Sequence, residues 1–395
     1  MKKILVLTPR FPYPVIGGDR LRIYQQCREL SKKYELTLLS LCEEASEMEL
    51  SLPQDGVFSS VHRIYLPKYR SYLNCCLALP TKMPLQVAYY KSSKFKKMIL
   101  SLVPQHDIVF SHLIRVGDYV KNIDAPKVLE MTDSISLNYE RVSRVSRFGG
   151  FKNIIYSLEK NRLKQYEKNV VNSFDFSILV SDVDKDYLFP SNEELRSRVL
   201  VCSNGVDTDS LHNIYKKATN TVAFIGNLTS VQNYDAAKWF AVSVMPLLLA
   251  RGDFKFRVIG RISEEKKFEL ECYPGVEVFG GVDSIPEAAQ NCIAGVCPVR
   301  LGAGVQNKIL EYMSLGLPTI SSSVGLEGIS AEVGKDILVA DGPKDYVEYL
   351  HRLATDDDFA NQLSLNGRAF VELHHDWSSK LSVMVKRFDE LMLKG

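Results

Sequence analysis

The sequence predicts an α/β protein made of two parallel-sheet domains, each sheet covered by helices on both faces. Three observations predict it. Short apolar runs alternate with helix-length amphipathic stretches along the whole chain, as parallel sheets require. At 395 residues the chain is too long for a single hydrophobic core. Gly-rich turns follow several of the apolar runs, at the strand ends where doubly wound sheets bind their ligands. The composition, 46% hydrophobic and 24% charged, is that of a soluble globular protein. No apolar run approaches the roughly 18 residues that span a bilayer.

The strands expected in the first half are residues 4–7, 36–41, 108–111, 128–131 and 178–181. In the second half they are 222–225, 256–259, 276–279, 293–299, 318–321 and 337–340. Helices are expected between them, over 21–32, 155–172, 236–249 and 346–353. The segment 207–221 is polar and lacks apolar periodicity, so it is the expected linker. The domains are then 1–206 and 207–375, with a final helix over 376–395. The start of the chain is basic and then apolar, but the apolar part covers only residues 4–7 before Pro9 and Arg10. That is shorter than a secretion leader's apolar region and suits a first buried strand.

Cysteine usage places the chain in a reducing compartment. The eight Cys (Cys27, Cys42, Cys75, Cys76, Cys202, Cys272, Cys292, Cys297) form no CxxC pair, so they read as reduced thiols of a cytosolic protein. No His/Cys/Asp group has metal-ligand spacing, and His374 and His375 are adjacent. No metal and no cofactor is expected. GxSxG, Walker A and HExxH motifs are absent, which leaves hydrolase and kinase readings without support.

Net charge is +2, but its distribution is uneven. Residues 1–203 hold 30 Lys/Arg against 22 Asp/Glu, and residues 204–395 hold 19 against 25. Residues 56–106 contain eight basic residues and no Asp or Glu, with Tyr65, Tyr69, Tyr72, Tyr89, Tyr90 and Phe95 among them. This window suits an anionic membrane surface or a lipid diphosphate, or else a solvated basic face over core aromatics. No nucleic-acid motif accompanies it, and no nucleic-acid partner is expected.

The densest functional pattern runs from Arg300 to Ile320. A buried strand ends in Arg300, and a Gly-rich turn (Gly302, Ala303, Gly304) follows. A helix is expected to open near Val305, with free amides and a dipole that favour anions. Lys308 then lies in its first turn. Gln306 and Asn307 precede it, and Glu311 shares the face of Asn307 and Lys308. A phosphate grip beside a carboxylate for hydroxyls suits a nucleotide sugar, and an ordinary strand–turn–helix with a surface Lys–Glu pair suits the spacing too. In the first loop, Gly17 and Gly18 allow close backbone approach before a helix, with Asp19 either a helix cap or a functional group, and Arg22 one turn on. Gly226 and Asn227 end one strand and lead to Asn233, a candidate cap. Arg261 ends the next, and Gly281 and Val282 form a turn that can meet a flat base or simply reverse the chain. His112 and Asp133 end two strands of the first half, as catalysts or as structural residues.

Four of these blocks, in order, carry a resemblance. They are Thr8 to Pro14 through Gly18-Asp19-Arg20-Leu21-Arg22, Asn204-Gly205-Val206-Asp207, Phe224-Ile225-Gly226-Asn227 with Asn233-Tyr234-Asp235-Ala236, and Gln306-Asn307-Lys308 through Glu311, Gly316 and Pro318. The whole chain resembles the family 4 glycosyltransferases, with the GT-B architecture of two Rossmann-like domains facing across a cleft and a C-terminal helix returning to the first. Within that family it is most similar to the sugar transferases of bacterial exopolysaccharide and capsule clusters. The resemblance implies a retaining, metal-independent, hexosyltransferase-type enzyme. It would move a sugar from a nucleotide-diphosphate donor to a glycan or lipid-linked acceptor, in the cytoplasm or peripherally at the inner face of the plasma membrane.

Residue by residue, the resemblance implies that Glu311 holds the ribose hydroxyls and that Lys308 and its helix start hold the diphosphate. Gly17 and Gly18 would face the donor phosphate and acceptor, and Gly281 and Val282 the base. Asp19 and Arg22 would lie on the acceptor side. The family's first motif Glu would stand at position 303, where this chain has Ala303. Backbone amides of Gly304 and Val305 would hold the sugar instead. Asn227 replaces a basic residue after Gly226, so Arg261 or Arg300 would supply the second positive charge. No cleft His is evident, and Thr132-Asp133 stand nearest its place. A nucleotide-sugar epimerase on the same fold, or a non-catalytic nucleotide-sugar-binding subunit, are the competing readings.

Overall fold

The computed structural model describes residues 1–15, 17–145, 151–216, 219–301 and 304–394. The chain divides into two compact units, Met1–Ser203 with Leu381–Gly395, and Asn204–Lys380.

The first unit is built on seven strands: β1 (Lys3–Thr8), β2 (Glu35–Cys42), β3 (Ser60–Tyr65), β4 (Ile108–His112), β5 (Lys127–Thr132), β6 (Phe176–Leu179) and β7 (Val199–Val201). They pair in parallel in the order β3-β2-β1-β4-β5-β6-β7. The order reverses at β1, which pairs Leu5 with Thr37 on one side and with Val109 on the other. The inner strands read as continuous apolar runs because helices cover both faces. The C-terminal helix Trp377–Lys394 contributes its last part to this unit. Its buried Phe388 sits edge-on to Phe110 of β4 and Phe176 of β6, at 5.3 and 5.6 Å, and Asp389 pairs with Lys33 at 2.8 Å.

The second unit has six parallel strands: β8 (Thr221–Ile225), β9 (Lys255–Ile259), β10 (Val276–Gly280), β11 (Cys292–Cys297), β12 (Thr319–Ser321) and β13 (Leu338–Val339), in the order β10-β9-β8-β11-β12-β13. The reversal is at β8, between β9 and β11. Phe224, Phe240, Phe254, Phe256, Tyr312 and Tyr346 are the large fully buried residues of its core.

Several elements differ from the sequence expectation, each for a physical reason. β3 and β7 carry too little apolar pattern to be read as strands; they are edge strands, half-exposed or three residues long. The run 178–181 starts and stops earlier, as β6, because Ser181 instead caps the helix Asp182–Leu188 and accepts from Asp184 N–H. The expected single helix 236–249 is three pieces: Val231–Trp239, a π-turn Phe240–Val244, and Met245–Leu249. Pro246 has no N–H to donate, and the Met245 N–H bonds the Phe240 carbonyl five residues back. The polar segment expected as a linker lies within the second unit, where Leu211, Ile214 and Tyr215 pack against its core. The chain crosses between units after Ser203 and again before Leu381.

Candidate functional site

In the second unit the strands flanking the reversal separate just where a ligand would enter. β8 and β11 pair only as far as Ala223 and Gly295, with a register shift between Cys292 and Ala294. Beyond that, the Tyr312 hydroxyl stands between them. It accepts from Ile225 N–H at 2.7 Å and donates to the Val296 carbonyl at 3.1 Å. Gly295 is required beneath it, because a Cβ there would lie 2.2 Å from the Tyr312 ring. Tyr312 thereby seats the helix Asn307–Ser314 over the reversal point, and Lys308 lies one turn earlier on the same face. The helix opens at Asn307 rather than near Val305, since Gly304 takes a φ of 72° and Gln306 is still extended.

Lys308 is 7% exposed. Its Nζ donates to Asn233 Oδ1 at 2.7 Å and Gln306 Oε1 at 3.3 Å, and lies 5.5 Å from the Phe224 ring centre. Among the described residues no carboxylate lies within ion-pair distance of it. A buried ammonium with only neutral partners is poorly compensated and attracts an anion. Its helix start adds free amides and the positive dipole end. Glu311 stands one turn away, half-buried, and its carboxylate accepts no hydrogen bond among the described residues. Burial pushes its carboxyl above the usual range, against the pull of Lys308.

The loops after β8, β9 and β10 are stitched together by backbone. Gly226 N–H bonds Ile259 at 2.9 Å, Leu228 N–H bonds Arg261 at 2.8 Å, and Gly260 N–H bonds Gly280 at 2.7 Å. Gly260 holds a φ of 142°, and a Cβ there would meet the Gly226 carbonyl oxygen at 1.9 Å. Asn227 folds its side chain onto Thr229. The cap of the following helix is Ser230, not Asn233. Asn233 is thus released to bridge the Asn227 carbonyl and Lys308. The Arg261 stem lies 3.6 Å from where a Gly281 Cβ would stand, with Val282 packed on the core. Arg261 is exposed and meets no partner side chain among the described residues. Arg300 is otherwise engaged. Both oxygens of Asp235 hold it, at 2.8 and 2.9 Å, beside the Trp239 ring. Asn307 accepts from Asn204 at 2.6 Å, which ties the Asn204-Gly205 block to the helix start. Val305 is half-buried beside them, and Ala303 lies outside the described residues.

The first unit collects a second polar cluster at the ends of β1, β4 and β5. Gly17, at φ 103°, and Gly18 open the helix Gly18–Ser31, with Gly17 at the cap position and Asp19 in the first turn. Arg10 is 3.2 Å from Glu43, donates to the Tyr90 hydroxyl at 3.1 Å and reaches Asp19 at 3.4 Å. Burial would raise the Asp19 carboxyl, but Arg10, His112 and Arg115 hold it below the usual range. His112 ends β4, 3% exposed, its Nδ1 without a partner among the described residues. Burial pushes its imidazole down to about 4, so it is neutral at physiological pH. Leu113 and Thr132, just past β4 and in the last position of β5, both take φ 66°, a strained backbone for side chains with a Cβ. Asp133 follows, its carboxyl pushed up to about 7 by burial and by Asp184.

Arg22, expected on the acceptor side, is 1% exposed. It bonds both oxygens of Glu130, at 3.1 and 3.2 Å, and the Cys202 carbonyl at 2.8 Å, so it braces the interior. Arg10, Glu43, Tyr90 and Arg115 are not among the site residues expected from the sequence, where Tyr90 figures only in the basic window and Arg10 only in the first-loop block. Arg10 alone had a local cue, a charge directly after the first strand.

Residues 219–356 match the family described as "Glycosyl transferases group 1". The matched residues lie within the second unit. An "Uncharacterized 44.6 kDa protein in cps region" of Klebsiella pneumoniae is 25% identical over 405 residues, spanning 98% of this chain and 100% of that protein. Among solved structures, a sucrose-phosphate synthase (tll1590) from Thermosynechococcus elongatus superposes with TM-score 0.75 at 13% identity over 100% of both chains. Anabaena Alr3699/HepE in complex with UDP and glucose superposes with TM-score 0.70 at 12% identity, over 99% of this chain and 100% of that one. The chain has the two-domain α/β GT-B fold, and glycosyl transfer is the activity that its family match supports.

Proposed function

We propose that this chain is a retaining, metal-independent glycosyltransferase. It moves a hexosyl group from a nucleotide-diphosphate donor to a glycan or lipid-linked acceptor of a bacterial surface polysaccharide, at the inner face of the plasma membrane. The observation that carries the reading is Lys308, a buried ammonium at the sheet's reversal point with no carboxylate in ion-pair distance among the described residues. The UDP and glucose bound by the HepE neighbour and the cps-region origin of the Klebsiella relative support the donor class and the capsule role.

On this reading Lys308 and the start of its helix take the donor diphosphate, Glu311 the ribose hydroxyls, and exposed Arg261 the second phosphate charge. The anomeric carbon–phosphate oxygen bond breaks and the carbon–acceptor oxygen bond forms on the same face. The acceptor proton passes to the leaving phosphate oxygen. No protein base is needed, so the chain's work is to neutralise the diphosphate and position both substrates. The test is thermal stabilisation by UDP-, GDP-, dTDP- and CMP-sugars, followed by product analysis with the one that binds. A shift confined to one nucleotide, lost in Glu311→Ala, is expected. Absence of any shift would overturn the donor site, and binding without turnover would favour a non-catalytic subunit.

A further inference from the structure

The helix Lys68–Ala78 in the first unit is inside out. Its protein-facing stripe, at i, i+3, i+4 and i+7, is Ser71, Asn74, Cys75 and Ala78, small or polar residues that are buried or half-buried. The large apolar residues point the other way. Tyr69 is 68% exposed, Tyr72 62%, Leu73 58% and Leu77 67%, with Leu79 at 49% just beyond the helix. A helix resting on a soluble core shows the opposite arrangement. A cluster of this kind on one face marks a surface that meets something apolar.

The charge around it identifies what that is. Residues 56–106 contain no Asp or Glu. Lys68 and Lys91 pair with Glu44 and Asp118 from outside the window. Arg70, Lys82, Lys94, Lys96 and Lys97 are exposed and meet no carboxylate among the described residues. A groove of about 1200 Å³ lies between this helix and the helix Ser93–Leu102; Tyr69, Arg70, Leu73 and Lys94 line it, and so do Glu43 and Glu44, which pair with Arg10 and Lys68. Tyr and Leu side chains flanked by unpaired cations match the boundary of an anionic bilayer, where aromatic and aliphatic groups enter the acyl edge and cations meet headgroup phosphates. A protein partner would be expected to bring acidic residues to an apolar face; a bilayer supplies phosphate and hydrocarbon together.

We propose that the helix Lys68–Ala78 docks this chain on an anionic lipid bilayer. Tyr69, Tyr72, Leu73 and Leu77 enter the interface, and Arg70 and Lys94 lie on the headgroup phosphates. The proposal rests on the membrane part of the proposed function and is independent of the donor site. The experiment is co-sedimentation of the full chain with phosphatidylcholine vesicles, with and without phosphatidylglycerol. Binding is expected only with the anionic lipid. Each basic residue at such a surface contributes about fivefold, so Arg70→Ala with Lys94→Ala should weaken binding roughly 25-fold. Tyr72→Ser with Leu77→Ser should abolish it. Both pairs are exposed, and their thermal midpoints should stay at the wild-type value. No binding to anionic vesicles, or binding that both pairs leave intact, would overturn the proposal. A concentration-dependent dimer, lost in Tyr72→Ser with Leu77→Ser and unaccompanied by vesicle binding, would overturn it in favour of a second copy of this chain. Nucleotide-sugar stabilisation, measured on the same variants, should be unchanged. Its absence from every protein, with vesicle binding intact, would fault the donor reading alone.

Discussion

Replacing Lys308 by Met separates a structural lysine from a ligand-binding one. The substitution keeps most of the stem and removes the ammonium. Lys308 is 7% exposed, and its ammonium is held by two neutral amide oxygens. Losing it removes a poorly compensated buried charge and two hydrogen bonds, and Asn233 and Gln306 are half-exposed, so water can take their place. The stability of free Lys308→Met should therefore stay within about 1 kcal/mol of wild type. Donor binding should fall by about 1.5–3 kcal/mol, the worth of a charge-assisted contact, or roughly 10- to 150-fold. Thermal or urea unfolding with and without the stabilising nucleotide sugar reads both numbers. At a ligand concentration of about 100 times the wild-type Kd, stabilisation should drop from about 2.7 kcal/mol to about 0.4 kcal/mol if affinity falls 100-fold. A variant that loses more than about 2 kcal/mol without ligand, yet keeps the donor's stabilising effect, would refute the reasoning.

Glu311→Gln should leave the fold intact and remove the wild-type preference for a ribonucleoside diphosphate over its 2′-deoxy analogue, measured by competition binding. Tyr312→Phe deletes the hydroxyl that closes the gap between β8 and β11 and leaves the buried Ile225 N–H unpaired, at about 1–3 kcal/mol in denaturant unfolding. Gly295→Ala forces a Cβ into the Tyr312 ring and should also cost about 1–3 kcal/mol, with donor affinity falling as the helix shifts. His375 is buried, donates from Nδ1 to the Asn204 carbonyl, and is pushed down to about 4 by burial. The unfolded chain binds that proton first, so its stabilising share is full above pH 6.5 and is lost as pH falls toward 4, by up to about 3 kcal/mol. Asp133 and Glu167, raised to about 7, act in the opposite sense, since the folded state takes their protons first and gains stability as pH falls from 7 toward 4. His375→Asn keeps a donor for Asn204 and should flatten the acid side of the stability curve. An unchanged acid limb would show that His375 does not shape it.

What could be read from the sequence was local. Apolar runs and amphipathic stretches repeat at the strand and helix periods, so the alternation, and nearly every inner strand, was legible within one or two residues at most ends. The shared face of Asn307, Lys308 and Glu311 follows from helix geometry alone. The edge strands β3 and β7 were not legible, because β3 is at most half-buried along its length and β7 is three residues long, so neither shows an apolar run. Pro246 did carry a cue, and its π-turn could have been anticipated.

By itself, the sequence determined two doubly wound sheets, a Gly-rich turn leading into a helix with a lysine in its first turn, and a basic window free of acid, because each depends on neighbours a few positions apart. Tertiary structure alone decided which charges are available. Arg300 was neutralised by Asp235, 65 residues away, and Arg22 by Glu130, 108 residues away. Lys308 was left bonded to Asn233, 75 residues away, with no carboxylate in ion-pair distance among the described residues. Nor does the pattern of Lys68–Ala78 say which of its faces meets the protein. Packing chose the small one and turned the tyrosines and leucines outward, because burial and charge compensation are settled by residues the chain brings together only when it folds.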